Sequence, residues 1–328
     1  MITLLDTTLR DGEQTSGVSF AKQEKMAIAR LLLEDLRVDR IEVASARVSD
    51  GEFETVRNIA RWAAQNGYED KVEVLGFVDG QVSLEWVKNA GVKVMNLLCK
   101  GSHKHCTMQL GKKPEEHIAD ITQVVTLAHE WGVGINVYLE DWSNGMKNSP
   151  DYVFALVDAL RSLPIRRFML PDTLGVLNPS ETASFCRQMI ERYPELLFDF
   201  HPHNDYDLAV ANVFAAVGAG IDCIHVTVNG LGERAGNASL SSVLAVLHDQ
   251  LGLSTNINEH EINRVSKIVE TYSGVRIPSN KPVVGQSVFT QVAGVHADGD
   301  IKNNLYCNDL IPERFGRTRE YALGKTSG

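Results

Sequence analysis

The sequence predicts an α/β protein built on a closed (β/α)8 barrel with a short C-terminal helical and loop extension. Three observations carry the prediction. Strand-length apolar runs alternate with longer amphipathic runs, eight pairs in succession, as a parallel barrel requires. Residues of catalytic type collect at the carboxyl ends of several strand segments. The length of 328 residues suggests about two domains, but a barrel alone can take roughly 250, and the remainder is too short for a second full domain. A doubly wound open sheet stays the rival, since periodicity cannot show closure.

In chain order the strand candidates begin near Ile2 ("ITLLDTT"), Arg40 ("RIEVASA"), Val72 ("VEVLGFV") and Lys93 ("KVMNLLCKG"). They continue near Gly134 ("GINVYLED"), Arg167 ("RFMLPDT"), Leu197 ("LFDFHPHND") and Asp222 ("DCIHVTVNG"). Between them, segments such as "AKQEKMAIARLLLEDL" and "EEHIADITQVVTLAHEW" repeat apolar residues every three or four positions, the helical period. Ser149-Pro150 and Asn178-Pro179 read as N-caps followed by proline in the first turn, and Glu181 stands where a capping box wants its acid. The eighth helix ends near Leu251. A further helix, "NEHEINRVSKIVETYSG", and a loop-rich stretch, "KPVVGQSVFTQVAGVHADGDIKNNLY", follow. The catalytic barrel is therefore expected over residues 1–255. Residues 256–328 are expected to form an extension packed on this barrel or on a partner's.

Composition narrows the function classes. An apolar content of 44% with 23% charged residues suits a globular chain with a large core. A net charge of −10 argues against nucleic acid or a membrane surface as partner. No run approaches the roughly 20 apolar residues that span a bilayer, and the N-terminus lacks the basic start of a signal peptide. Cys99, Cys106, Cys186, Cys223 and Cys307 are scattered without a C-x-x-C pair, which fits reduced thiols in the cytoplasm, most of them core-packed.

All strand carboxyl ends of a barrel lie on one face. The first carries Asp6, Arg10 and Asp11; the fifth Tyr138, Glu140 and Asp141; the sixth Asp172 and Thr173. The seventh carries His201, His203, Asn204 and Asp205. After the eighth come Asn229, Glu233, Arg234 and Asn237. Single polar loops are ordinarily just solvated, but five loaded with such residues on one face point to a reaction centre. In "HPH" the two imidazoles, at i and i+2 of a strand, point to one side and can reach one ion. With a carboxylate such as Asp11 they suit a divalent cation that keeps positions open for substrate. Pro202 between them is tolerable only where strand pairing lapses.

"GLGERAG" is not a dinucleotide fingerprint: its glycines are spaced one residue too wide, and it follows the last strand. It can still cradle a phosphate or let the backbone approach a ligand. From spacing alone "GVHADGD", with His296, Asp298 and Asp300, reads as a polar surface loop. His103 and His105 read as solvated, and Trp62 and Trp86 as packing.

"DTTLRDGEQ", "LPDTLG", "HPHND" and "NGLGERAGN", in order at four strand ends, resemble the DRE-TIM family of Claisen-condensing acyl-CoA synthases, the isopropylmalate, citramalate and homocitrate synthases. The resemblance runs from about residue 2 to the end. It implies a divalent metal (Zn, Mn or Mg) on Asp11, His201, His203 and Asn237, chelated by a 2-oxo acid. Arg10 would stabilise the developing alkoxide, and Thr173 would bind the carboxylate. Glu140 and His296 would share removal of a methyl proton from acetyl-CoA, with His296 supplied by the neighbouring subunit of a homodimer. That reading converts "GVHADGD" into a catalytic segment, with Asp298, Asn304 and Tyr306 near the acyl-CoA. Leu75, Leu98 and Tyr138 match the side-chain pocket, whose crowding favours pyruvate and hence citramalate. The alternative is 2-oxoisovalerate and isopropylmalate, and carbon–carbon cleavage by a lyase or aldolase of the same superfamily is the third. Glu13 is left between bracing Arg10 and accepting hydrogen bonds nearby. Family members continue into a regulatory domain, expected to be absent from this chain.

Overall fold

The structure, a computed structural model, describes residues 2–325 and 327. Eight parallel strands close into a barrel: β1 (Thr3–Asp6), β2 (Arg40–Ser45), β3 (Val72–Phe77), β4 (Val94–Lys100), β5 (Gly134–Glu140), β6 (Ile165–Asp172), β7 (Phe198–Pro202) and β8 (Cys223–Val226). Closure is direct. Strand β1 pairs with β8 from Thr3↔Cys223 to Asp6↔Val226, which removes the open-sheet alternative.

Helices α1 (Lys22–Arg30), α2 (Asp50–Gln65), α3 (Val82–Asn89) and α4 (Pro114–Glu130) return the chain between the first five strands. Then come α5 (Trp142–Asn148), α6 (Pro150–Leu160), α7 (Pro179–Arg192), α8 (Ala209–Gly218) and α9 (Leu240–Ala245). The expected capping box forms at α7: Glu181 N–H donates to Asn178 Oδ1 at 3.0 Å, and Asn178 N–H donates to Glu181 Oε2 at 3.1 Å. Ser149 precedes Pro150 as expected, but its hydroxyl does not cap α6; it accepts from the His103 N–H at 3.2 Å. The "SHKHC" histidines are not a plain solvated loop either. His105 opens a wide helical turn, His105–Gln109, and its Nε2 lies 3.5 Å from Asp141 Oδ2.

Most of the core lies between the outer strand faces and the helices, where Leu4, Ile41, Val43, Val74, Leu97, Val137 and Phe200 are buried. Trp86 packs edge-on against Phe53, and Trp62 lies tilted against Tyr68. Four of the cysteines are buried and Cys307 is exposed. Inside the barrel the apolar cluster is small, Leu5, Leu75, Tyr138, Met169 and Cys223 with Leu98 against it. The rest of the interior is polar. Arg40 pairs with Glu73 at 2.8 Å and with Asp199; Asn96 donates to Glu42 at 2.8 Å and accepts from Asn136 at 2.8 Å. Buried charge is stable only when so paired.

Beyond the barrel, α10 (Ile262–Ser273) is followed by a tail in which β9 (Thr290–Gln291) pairs with β10 (Glu320–Tyr321) around α11 (Gly294–Asn303). "GVHADGD" is thus a helix and not the surface loop its spacing suggests. Asp300 anchors it: the carboxylate is buried, pairs with Arg319 at 2.8 Å and accepts the Tyr306 N–H at 3.0 Å. Among the described residues no helix is long and apolar enough to cross a membrane.

Candidate active site at the carboxyl mouth of the barrel

Parallel strands put their carboxyl ends at one mouth, and there Arg10, Asp11, Leu75, Leu98, Tyr138, Glu140, Thr173, His201 and His203 line a single cavity of about 140 Å³. Glu233, expected at this face, and Gln14 and Pro171, which the sequence does not single out, complete its wall.

The two histidines of "HPH" face inward together, with His201 Nε2 and His203 Nε2 3.2 Å apart. Asp11 Oδ2 lies 3.2 Å from the first and 3.7 Å from the second. One donor atom from each residue falls within 4.8 Å of the others. Burial disfavours the imidazolium form of both rings, lowering His201 and bringing His203 down to about 4. Burial would raise Asp11, but the Arg10 charge and the His201 hydrogen bond outweigh it and hold the carboxyl well below its usual range. Two neutral imidazoles and a carboxylate, with imidazole nitrogens crowded against each other, fit a divalent cation.

Asn237 is brought to the same place by an antiparallel bridge to His203. Its amide donates to Leu231 O at 3.1 Å, and its Oδ1 is buried without a partner among the described residues, as a further oxygen ligand would be. The "GLGERAG" backbone packs closely against the side chains of Asn237 and Asp11. Gly232 has φ +155°, and a Cβ there would lie 2.1 Å from Asn237 Nδ2 and 3.2 Å from Asp11 Oδ1. Arg234 ties three mouth loops together, donating to Thr173 O at 2.7 Å and to Asp205 Oδ1 at 2.8 Å.

Arg10 is aimed by a residue absent from the sequence reading. Its Nε donates to Glu42 Oε2 at 2.6 Å, its Nη1 to Asp11 Oδ2 at 3.1 Å, and its Nη2 reaches Tyr138 Oη at 3.5 Å. Glu42 also accepts from Thr7 and Asn96, and the Arg10 charge overcomes burial to keep it ionised. Glu13 does not brace Arg10. It pairs with the buried Lys25 at 2.8 Å and accepts the Phe20 N–H. Glu140 is held by an ion pair with Lys100 across the β4–β5 register. Thr173 Oγ1 accepts the N–H of Asp141 at 2.8 Å, which leaves its hydroxyl hydrogen free.

His296, Asp298, Asn304 and Tyr306 are not brought into this cavity within the chain. All lie on or just after α11, where the His296 ring sits 4.2 Å from that of Tyr306 and Asp298 pairs with Lys302 at 2.6 Å.

The HMGL-like family model matches residues 1–269. A Methanopyrus kandleri protein described as a putative (R)-citramalate synthase is 36% identical over 329 residues, covering 100% of this chain and 63% of the relative. An Ignicoccus hospitalis protein described as a probable 2-isopropylmalate synthase is 36% identical over 327 residues, covering 100% of this chain and 80% of the relative. The chain thus spans less than two thirds of the first of these. A hydroxymethylglutaryl-CoA lyase structure from Pseudomonas aeruginosa superposes with a TM-score of 0.72 at 20% identity, covering 84% of this chain and 94% of that one, a likeness of fold.

Proposed function

The chain belongs to the HMGL-like, DRE-TIM family, and on that premise we propose that it condenses acetyl-CoA with a small 2-oxo acid and hydrolyses the resulting thioester. The observation that carries this reading is the neutral His201–His203 pair with Asp11, set beside Arg10 in a cavity that Leu75, Leu98 and Tyr138 also line. Asp11, His201 and His203, with Asn237 Oδ1, would hold a divalent cation (Zn, Mn or Mg), whose contribution when bound is Lewis-acid polarisation of the keto carbonyl.

The chain's own residues supply the rest. Thr173 donates its free hydroxyl hydrogen to the substrate carboxylate. Arg10, fixed by Glu42, presents its guanidinium to the oxygen on which negative charge develops. Glu140 stands in the cavity wall as the group to take a methyl proton from acetyl-CoA. The resulting carbanion attacks the keto carbon, the alkoxide is protonated, and water cleaves the thioester to release the CoA thiol. His296 shares the proton transfer only if a second copy delivers it. Val295, Ile301 and Leu305 around it are exposed apolar side chains suited to burial in a homodimer. Residues 256–328 are then the segment that reaches across.

Pyruvate, giving citramalate, is the preferred 2-oxo acid, since Leu75, Leu98 and Tyr138 crowd so small a cavity, and Arg10 as the only permanent cation among the described lining residues argues against an acid with a distal carboxylate. The equal identity to a 2-isopropylmalate synthase favours 2-oxoisovalerate as the second reading. Apolar pockets discriminate single methylenes by only about 1–3 kcal/mol. Thiol release from acetyl-CoA, with added Mn²⁺ and either acid, tests both. Chelator-sensitive turnover with pyruvate in preference is expected; no release with either acid overturns the condensation.

A further inference from the structure

Beneath the metal-ligand set lies a second buried cluster, Asp199, Cys223 and His225, whose donor atoms are also close enough to gather round an ion. It is not a metal site. Arg40 already occupies it, pairing with Asp199 Oδ2 and reaching Cys223 Sγ at 3.0 Å, while Arg167 takes Asp199 Oδ1 at 2.5 Å. Two guanidiniums pin this carboxylate as a fixed anion at the barrel centre.

His225 connects that anion to the reaction centre. Its Nε2 lies 3.0 Å from Asp199 Oδ2 and must carry the proton, since the carboxylate can only accept. The ring is fully buried, and with the proton on Nε2 the assigned tautomer presents one lone pair at Nδ1. Two groups converge on that lone pair: Tyr138 Oη at 2.9 Å and His201 Nδ1 at 3.2 Å. Tyr138 in turn meets Arg10, and His201 presents its other nitrogen to Asp11 and His203.

We propose that His225 is a positioning residue: fixed by Asp199, it accepts the Nδ1–H of His201 and so commits His201 to the tautomer whose Nε2 lone pair faces the metal-ligand set. Tyr138 shares the acceptor, which links the orientation of Arg10 to the same ring. The inference rests on the metal reading above and adds a residue to it. Hydrogen-bonded partners behind a ligating imidazole fix its orientation and basicity, and losing one costs roughly 10–100-fold in metal affinity.

Mn²⁺ affinity of the full chain, followed by the free-ion EPR signal, tests this without reference to turnover. His225→Leu is expected to weaken binding roughly 10–100-fold while the thermal transition stays cooperative. His225→Gln is expected to restore most of it, because glutamine can donate to Asp199 and still offer a carbonyl to His201. In the unsubstituted metal-free protein, ¹⁵N-histidine spectra, with His201 assigned by His201→Asn, should show its proton on Nδ1. A proton on Nε2, wild-type Mn²⁺ affinity in His225→Leu, or equal losses in the Leu and Gln variants would each overturn the proposal, the last indicating packing alone. His203→Ala serves as the control. If it keeps Mn²⁺, the metal reading fails and the inference with it; if it loses Mn²⁺ while His225→Leu does not, only the inference fails.

Discussion

Each imidazole at the barrel mouth is useful because burial keeps it neutral, and the same burial makes the fold sensitive to acid. His203 at the mouth, and likewise His117 on α4, where its Nε2 accepts the Lys100 N–H, titrate near 4 in the folded chain, pushed down first by desolvation, against about 6.5 when unfolded. The unfolded state therefore binds more protons between those values, and stability falls as pH drops from about 6.5 toward 4. His201 and His225 shift the same way. Asp6 opposes them, since burial pushes its carboxyl up to about 7 and its contribution fades as pH rises from about 4 to 7. The melting temperature of metal-free protein should drop steeply below pH 6.5; a flat profile would show the histidines to be more solvated than described. At neutral pH, His203→Ala should abolish metal-dependent thiol release. Arg10→Gln should cut kcat by roughly 10²–10³, the cost of one oxyanion donor, with Glu42→Gln intermediate. The order of the last two checks whether Glu42 acts through Arg10.

The loops and the tail hold these residues by means that can be broken separately. Gly232→Ala forces a Cβ against Asn237 and Asp11 in a backbone region that L side chains rarely adopt, and should cost about 1–3 kcal/mol. Metal affinity should fall with it, whereas Gly17→Ala, also at positive φ but with open space around it, should lose stability alone. In the tail, Asp300→Ala removes the acceptor of Arg319 and of the Tyr306 N–H. Limited proteolysis between residues 294 and 323 should accelerate while cleavage of the barrel does not. The strand ends of this site were legible because apolar runs stop at charged residues, and "HPH" carries its own period of two. Glu42, Asp199 and His225 carry no such mark, because each sits inside a strand that otherwise reads as core. Their signal was alternation: Arg40 and Glu42, Glu73 and Leu75, Asp199 and His201 occupy every second position and share the barrel interior. Helix α11 was hidden by two glycines and an uneven charge pattern; tertiary pairing of Asp300 holds it.

At the scale of the assembly, the chain by itself gathers Arg10, Glu140 and the Asp11–His201–His203 cluster, and leaves His296 on a separate helix. If a second copy supplies it, mixing inactive His296→Ala and Arg10→Ala proteins should regenerate turnover through the one site that keeps both residues. Failure to complement after subunit exchange would place His296 outside the chemistry.

What the sequence by itself determined is the set of local facts: eight strand–helix units, the Asn178–Glu181 cap that starts α7, and the residue types at each strand end. These follow from short-range propensity and period, which a linear pattern records in full. Tertiary structure alone decided the closure of β1 on β8, the Glu42 brace on Arg10, the capture of Glu13 by Lys25 and the placing of His225 behind His201. Each joins residues far apart in the chain, and which buried charge finds which partner depends on the barrel's closed geometry.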